Sequence, residues 1–382
     1  MKKIIIIGPA YPYRGGNSLF VSYLYDSLKN DFKVIIYNYK LLYPSILFPG
    51  TSQYDKSSEV IKQAPNERLV NSISPFNWIN VAKKINAENP DLIVFDWWHP
   101  FFSFCHRGIS EFLNKELKKK ILFITENFVS HEGNFVDRFL TGIGLKNANS
   151  FLALSAKVEE ELKEISNGRK IYRSELPIYD CYDSDTEIDS ESARKNFGFL
   201  NDDLVLLFFG YIRKYKGLDL LIDAFPKIQE KLPNSKLLIV GESYDDIKFY
   251  QDKIKNSGCA DKIVLENKFV PNEEVAKYYH ASDLVILPYR SATQSGILNV
   301  AYGFSKPVLV TDVGGLAEFV LEDKTGFVVK PNSPDELFRG VIRFTELRSI
   351  VNFEDNIKNF VQRNNFGNIV PLFQQILNDI QK

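Results

Sequence analysis

The chain has 382 residues, more than one ordinary doubly wound domain needs and about enough for two. Hydrophobic residues make up 45% and charged residues 25%, as in globular proteins, and a formal net charge of −1 argues against nucleic acid as a partner. No apolar run approaches the ~18 residues of a membrane span, and the three cysteines are too far apart to form a metal site, so we expect a cytoplasmic protein.

The first half of the chain alternates short apolar runs with segments of helical spacing. Its predicted strands are residues 3–8, 32–37, 91–96, 120–125 and 150–155. Between residues 41 and 75 Pro and Gly interrupt every pattern, and we expect a long loop with a short hairpin there. About five strand–helix repeats of this kind predict a parallel sheet with right-handed crossovers, hence the α/β class.

Two places in this half are candidate binding elements. Gly15 and Gly16 precede the first predicted helix, where a missing side chain lets the backbone approach a ligand closely. The aromatic run that includes Trp97, Trp98 and His99 follows the strand at 91–96. Ligands of parallel sheets gather at the carboxyl ends of strands, so these rings could stack on a sugar, although core packing explains them equally well.

The second half repeats the α/β pattern after a polar, acidic stretch at 179–201, which we interpret as a linker. Its predicted strands are residues 203–209, 237–240, 263–266, 284–287, 307–310 and 326–329. We expect domains at 1–178 and 202–349, each Rossmann-like. The helical segment 350–382 is long enough to pack back across the first domain.

The stretch 281–319 contains two successive strand–turn–helix units. Ser295 and Gly296 open one helix, and Gly314 and Gly315 occupy the turn of the next unit. The amino ends of both helices therefore lie at one edge of the sheet, where amide N–H groups and the helix dipole favour an anion. A nucleotide-activated substrate, held by its diphosphate, is the ligand this pattern indicates.

The residues GYIRKYKGLDLLIDAF at 210–225, together with the spaced pattern from ASDL at 281 to Gly326, resemble retaining glycosyltransferases of the GT-B fold, glycosyltransferase family 4, also called glycosyl transferases group 1. The match covers most of the second domain, and the first domain matches more loosely. The resemblance implies two doubly wound Rossmann-like domains facing across a cleft, with the C-terminal helix packed back on the first.

The resemblance also implies an activity. The second domain would bind a nucleotide-sugar donor, and the first would bind a saccharide or lipid-linked acceptor. The sugar would be transferred with retention of anomeric configuration and without a metal or other cofactor, in surface polysaccharide or glycoconjugate synthesis. A lipid-linked acceptor would bring the protein into peripheral contact with the inner face of the membrane.

Donor-site residues follow from the same resemblance. Lys216 matches a lysine expected to contact the phosphates, and Arg213 lies two residues from the family's usual arginine position, here Tyr211. Two glutamates that the family often carries are replaced by Ala292 and Val300. The expected donor-binding set then comprises Gly15, Gly16, Thr293, Gln294, Ser295, Gly296 and Glu318.

A histidine is expected in this family where the strand at 120–125 ends, and this chain has Glu126 there. His131 follows in a pattern similar to the family's and is our candidate for orienting the donor or the acceptor. We expect Glu126, His131, Lys216 and Arg213 to be the catalytic residues, with no metal ligands.

Two other functions fit the sequence. Loss of both glutamates and the presence of Glu126 favour a nucleotide-sugar-binding protein without catalysis. A sugar-nucleotide epimerase would share the fold, although the aromatic run after residue 96 favours an acceptor site. Donor turnover distinguishes the first alternative, and release of an epimerised nucleotide sugar without acceptor distinguishes the second.

Overall fold

A computed structural model describes residues 1–48, 50, 52–128, 135–182, 188–363 and 366–381. The chain divides into two compact units. Unit 1 comprises Met1–Asp55, Lys62–Pro177 and Phe366–Lys382, and unit 2 comprises Lys56–Ile61 and Ile178–Asn365. Each unit is built around one parallel sheet with helices on its faces.

Unit 1 contains a seven-stranded sheet in the order β3-β2-β1-β4-β5-β6-β7, with every neighbouring pair parallel. Its strands are β1 (Lys3–Ile7), β2 (Lys33–Leu41), β3 (Asn66–Asn71), β4 (Leu92–Trp97), β5 (Ile121–Thr125), β6 (Ser150–Ala153) and β7 (Lys170–Arg173). Its helices are α1 (Gly16–Leu28), α2 (Pro75–Glu88), α3 (Ser103–Glu111), α4 (Lys115–Lys118), α5 (Phe135–Gly144) and α6 (Ala156–Ser166).

The central strands of unit 1 are largely apolar because helices cover both faces of the sheet. In β1, for instance, Ile4 and Ile6 face the cluster that contains α1, whereas Ile5 and Ile7 face the opposite cluster. The last helix of the chain, α14 (Ile369–Ile380), adds Phe373 to the α1 side. This confirms that a C-terminal helix packs back on the first domain.

Two strands of this sheet were missed from the sequence, and the predicted hairpin is wrong. β3 lies in the expected loop, but it pairs parallel to β2, so the connection is a crossover and not a hairpin. β7 pairs with β6 at the opposite edge. Both are edge strands, NERLVN and KIYR, and lack the continuous apolar run by which buried strands are recognised.

Unit 2 contains a six-stranded parallel sheet in the order β10-β9-β8-β11-β12-β13. Its strands are β8 (Leu204–Phe209), β9 (Ser235–Val240), β10 (Ile263–Glu266), β11 (Leu284–Leu287), β12 (Val308–Thr311) and β13 (Gly326–Val329). Its helices are α7 (Ser190–Lys195), α8 (Leu218–Lys231), α9 (Ile247–Asn256), α10 (Asn272–Ala281), α11 (Gly296–Gly303), α12 (Pro334–Leu347) and α13 (Phe353–Arg363).

The segments at the two ends of unit 2 differ from the predicted domain organisation. The stretch predicted as a linker, 179–201, contains helix α7 and groups with unit 2. The segment 350–382 divides between the units: α13 stays with unit 2, where the ring of Phe360 lies 5.5 Å from that of Tyr302, and α14 belongs to unit 1.

Both sheets reverse their strand order at one point, between β1 and β4 in unit 1 and between β8 and β11 in unit 2. The loops after two such strands run in opposite directions and leave a crevice, which is where ligands bind in open α/β sheets. In unit 1 the crevice lies by Gly8 and Asp96, and in unit 2 by the loops that begin at Gly210 and Pro288.

Candidate active site

The turn after β8 is built on glycine. Gly210 and Gly217 have φ angles of 106° and 67°, in the left-handed region that favours glycine. A Cβ atom at Gly217 would lie 2.0 Å from the carbonyl oxygen of Pro288, so only glycine lets this turn meet the loop after β11. The two loops of the switch point are therefore in direct contact.

Lys216 is the buried cation of this turn. The residue is only 6% exposed, and burial lowers the pKa of its ammonium below the ordinary value. Its Nζ atom lies 5.3 Å from the centre of the Tyr289 ring. Among the described residues we find no carboxylate that pairs with Lys216. A buried charge without a partner is costly, which is typical of a group whose partner is a ligand.

The ammonium lies beside the first turn of α11. A Cβ atom on Gly210 would lie 3.1 Å from Lys216 Nζ and 3.2 Å from Cδ1 of Ile297, the second residue of that helix. The amino end of α11 carries a partial positive charge and amide donors without helical partners. Lys216 and the amino end of α11 therefore form one positively charged site, which we call the Lys216 corner.

Arg213 adds a second positive charge to the same turn. Its guanidinium carbon lies 5.0 Å from the centre of the Tyr244 ring, on which Tyr211 also stacks at 4.6 Å. The charge of Arg213 contributes to the lowered pKa of Lys216, because the two cations repel each other. Tyr211 thus supports the ring that holds Arg213.

The loop after β11 contributes small polar groups. Ser295 precedes α11 in an extended conformation, and its hydroxyl lies 3.5 Å from that of Tyr289. Thr293 and Ser295 are each 9% exposed. A Cβ atom on Gly314 would overlap the carbonyl oxygen of Ala292, so the turn after β12 lies against this loop. Predicted donor residues Thr293, Gln294, Ser295 and Gly296 are therefore neighbours of the Lys216 corner.

Glu318 lies outside this corner in the chain, on a 3₁₀ turn at Ala317–Phe319, with its side chain exposed. In unit 1, Gly15 has a φ angle of 106° and precedes α1, and Gly16 begins that helix. A Cβ atom at either glycine would meet nothing within 4 Å. The backbone at the amino end of α1 is thus accessible.

Glu126 is buried beneath this end of α1, at the carboxyl end of β5. It is 5% exposed, and its amide donates to the carbonyl of Trp97 over 2.9 Å. Burial raises the pKa of Glu126 to about 7, although Asn17 and Asp96 hydrogen-bond to it. Asp96, the other acid there, is 1% exposed and was predicted only as the end of a strand.

The aromatic run after β4 is less accessible than the sequence suggested. Trp97 is fully buried, with Gly144 of α5 packed against its ring, so it is a core residue and not an acceptor contact. Trp98 is 9% exposed and donates to the Tyr43 hydroxyl over 3.1 Å. His99 accepts a hydrogen bond from the amide of Phe101. His131 lies outside the described residues.

Two properties of the described residues bear on cofactors and membranes. They contain no group of three or more His, Cys, Asp or Glu side chains that could hold a metal ion. None of their helices has the length and hydrophobicity needed to cross a membrane.

Comparison with known proteins agrees with this architecture. Residues 189–363 match the family described as glycosyl transferases group 1. The uncharacterized glycosyltransferase MJ1607 of Methanocaldococcus jannaschii is 33% identical over 150 residues, 39% of this chain but only 38% of that protein. A second uncharacterized glycosyltransferase of that organism, MJ1178, is 24% identical over 340 residues, 88% of this chain and 86% of that protein.

A solved structure extends the likeness over the whole fold. Alr3699/HepE of Anabaena, in complex with UDP-glucose, superposes with a TM-score of 0.74 at 14% identity and covers 100% of both chains. By sequence over residues 189–363 and by fold over the whole chain, the protein therefore resembles the GT-B glycosyltransferases of group 1, as its motifs predicted.

Proposed function

We propose that this protein transfers a sugar from a nucleotide-sugar donor to a saccharide or lipid-linked acceptor, with retention of anomeric configuration. The observation that carries the proposal is Lys216, a buried ammonium without a carboxylate partner at the switch point of unit 2. The same corner contains Arg213 and the amino end of α11. Positive groups arranged in this way suit a nucleoside diphosphate.

Chemically, the bond between the anomeric carbon and the phosphate oxygen breaks as the acceptor oxygen bonds to that carbon. Negative charge then accumulates on the leaving diphosphate. Cations and hydrogen-bond donors that are already held in place around the diphosphate therefore accelerate the step. Lys216 and Arg213 supply that charge stabilisation without a metal. Thr293 and Gln294 offer neutral hydrogen bonds next to Ala292, one of the two positions where the family often carries a glutamate. The amides of Ser295 and Gly296 are proposed to bind phosphate, and Glu318 is proposed to contact the nucleotide sugar.

Unit 1 is proposed to bind the acceptor at the carboxyl end of its own sheet, and Gly15 and Gly16 at the amino end of α1 are proposed to contact the donor. Glu126, one of two buried acids at this edge, is proposed to contact a sugar hydroxyl. Trp98 and His99 lie on the next loop, and His131 remains a candidate for the same role. An acceptor on a lipid would be met at the cytoplasmic face of a membrane, in surface polysaccharide or glycoconjugate synthesis.

Helix α5 supports the membrane contact. Its side chains Phe135, Val136 and Phe139 are 83%, 56% and 61% exposed, which is unusual for large apolar residues on one helix. Such a face lowers its free energy by entering a lipid surface.

Donor turnover tests the function. The purified protein is incubated with UDP-, GDP-, ADP- and dTDP-sugars, and release of the nucleoside diphosphate is followed with and without chelator. We expect slow hydrolysis of one donor class, unaffected by chelator, with UDP-glucose tried first because the Anabaena neighbour is a complex with it. Binding without any turnover would favour the non-catalytic alternative, and an epimerised nucleotide sugar would favour the epimerase.

A further inference from the structure

Tyr211, Arg213 and Tyr244 form a small cluster beside the Lys216 corner of unit 2. The ring of Tyr211 stacks on that of Tyr244, with the ring centres 4.6 Å apart and the planes inclined by 26°. The guanidinium carbon of Arg213 lies 5.0 Å from the centre of the Tyr244 ring. The ring of Tyr244 therefore contacts both the other aromatic ring and the cation, and we call these three residues the Tyr244 cluster.

The backbone brings these side chains to one place. The loops after β8 and β9 continue to pair beyond the sheet, because the amide of Ile212 donates to the carbonyl of Glu242 and the amide of Tyr244 donates to the carbonyl of Ile212, both over 3.0 Å. Ile212 is fully buried, and Arg213 is extended. Side chains alternate along an extended segment, so Tyr211 and Arg213 point to the side opposite the buried Ile212. Both can therefore reach the same ring.

Neighbouring segments secure the loop that carries Tyr244. The amide of Ser243 donates to the side-chain oxygen of Asn267, in the loop after β10, over 2.8 Å. A Cβ atom on Gly241 would lie 1.9 Å from the carbonyl oxygen of Gly210, so the two loops approach each other as closely as only glycine allows. The Tyr244 ring is thus attached to a backbone that is held on both sides.

Arg213 is held by this ring and not by an acid. Its side chain is half-buried, and in the described part of the chain its guanidinium makes no hydrogen bond and no ion pair. An aromatic ring attracts a guanidinium without neutralising its charge, whereas a carboxylate would neutralise the charge and compete with an anionic ligand. Arg213 therefore keeps its full charge and its N–H donors for a ligand while its position is restricted.

We propose that Tyr244 is a positioning residue that holds Arg213 against the diphosphate of the bound nucleotide, with Tyr211 supporting the Tyr244 ring. This inference rests on the proposed function, because that function supplies the diphosphate. The family resemblance expects the arginine at position 211. In this chain the cation lies two residues further along the turn, and the tyrosine at the usual position stacks on the ring that holds it.

The affinity for UDP, measured by calorimetry, tests the role of the ring without any turnover. Tyr244→Leu removes the aromatic face, and we expect UDP to bind about 3- to 10-fold more weakly, whereas Tyr244→Phe keeps the face and should stay within about twofold of the wild type. Phe249→Leu is the matched control, because it removes a ring of α9 that lies 5.8 Å from Lys253 Nζ, outside the Tyr244 cluster. An unchanged affinity in Tyr244→Leu, or an equal loss in Tyr244→Phe, would overturn the proposal.

A double-mutant cycle shows whether Tyr244 acts through Arg213. Arg213→Met alone should weaken UDP binding by about tenfold, the loss of a charged hydrogen bond to phosphate. If the ring only holds the arginine, adding Tyr244→Leu to Arg213→Met should weaken binding by less than about twofold more. Additive losses would mean that Tyr244 contributes independently of Arg213, and the proposal would be wrong.

Inorganic pyrophosphate separates a phosphate site from a base site. Tyr244→Leu should weaken the binding of pyrophosphate by the same factor as that of UDP, since the arginine meets the phosphates in both ligands. A loss for UDP alone would mean that the ring stacks on the base, and a wild type that does not bind pyrophosphate would also contradict the proposal. Wild-type protein that binds UDP but transfers no sugar would refute the glycosyl transfer, while the binding results would still decide the role of Tyr244.

Discussion

Arg290 and Asp219 form a two-pronged ion pair, with both N–O distances at 2.7 Å. Arg290 also donates to the carbonyl of Lys214 over 2.9 Å, and its own amide donates to the carbonyl of Tyr215. One side chain thus ties the loop after β11 to the start of α8 and to the turn that ends at Lys216. The position of the buried ammonium depends on this tie.

Arg290→Lys should weaken that tie, because lysine keeps the charge but cannot form two parallel hydrogen bonds. We expect a loss of about 1–2 kcal/mol in the free energy of unfolding and a several-fold loss of nucleotide affinity, measured by urea denaturation and calorimetry. Arg343→Lys is the matched control, since Arg343 pairs with Asp323 on the exposed surface and this substitution should change the free energy of unfolding little. Equal effects of the two substitutions would argue against a positioning role for Arg290.

Lys216→Met should stabilise the protein in the absence of ligand. Methionine fills similar space without an uncompensated charge, so we expect the free energy of unfolding to rise by about 1–2 kcal/mol at pH 7. Because the pKa of Lys216 is lowered in the folded chain, wild-type stability should rise with pH toward about 10.5, and the advantage of the variant should narrow. Urea denaturation at two pH values checks both statements. A less stable Lys216→Met would mean that the ammonium has a partner within the protein.

His106 makes unit 1 sensitive to acid. It is fully buried against aromatic rings, its Nε2 atom lies 2.8 Å from the Tyr39 hydroxyl, and burial lowers its pKa to about 3. Below pH ~6.5 the unfolded chain binds a proton that the folded chain does not, so this group lowers stability by about 2 kcal/mol between pH 7 and pH 5. NMR of labelled histidine should find the ring still neutral at pH 5. A ring that titrates near pH 6.5 in the folded protein would refute this.

Exposed phenylalanines on α5 should govern binding to lipid vesicles. The double substitution Phe135→Ser and Phe139→Ser removes two large apolar groups. We expect the amount of protein that sediments with phosphatidylcholine–phosphatidylglycerol vesicles to fall by at least about tenfold. Phe249→Ser in unit 2 is the control, because Phe249 is 49% exposed but lies outside that helix. Vesicle binding that is absent in the wild type, or lost equally in both variants, would exclude α5 as the contact.

Much of this architecture was predictable from the sequence. Central strands such as β8 and β11 are continuous apolar runs, and the glycine turn ending at Lys216 carries a recognisable motif. Edge strands β3 and β7 were not predicted, because a strand at the edge of a sheet is less completely buried and need not be a continuous apolar run.

The least predictable feature is the pair formed by Asp96 and Glu126. The two acids are thirty residues apart in the chain, and only the register of β4 against β5 brings them together. Burial of Trp97 could not be predicted from the sequence either, because an aromatic side chain after a strand fits a binding surface and a core equally well. In both cases the position of the side chain depends on contacts between segments that are distant in the chain.

The affinity for UDP, measured by calorimetry in three proteins, tests the central claim most directly. The proteins are the wild type, Lys216→Met and Lys214→Met, the last removing an exposed lysine of the same turn. We expect Lys216→Met to weaken binding by about 10- to 150-fold, the loss of a charged hydrogen bond worth roughly 1.5–3 kcal/mol, and Lys214→Met to change it by less than about threefold. Unchanged UDP affinity in Lys216→Met, with tight binding to the wild type, would contradict a diphosphate site at this turn.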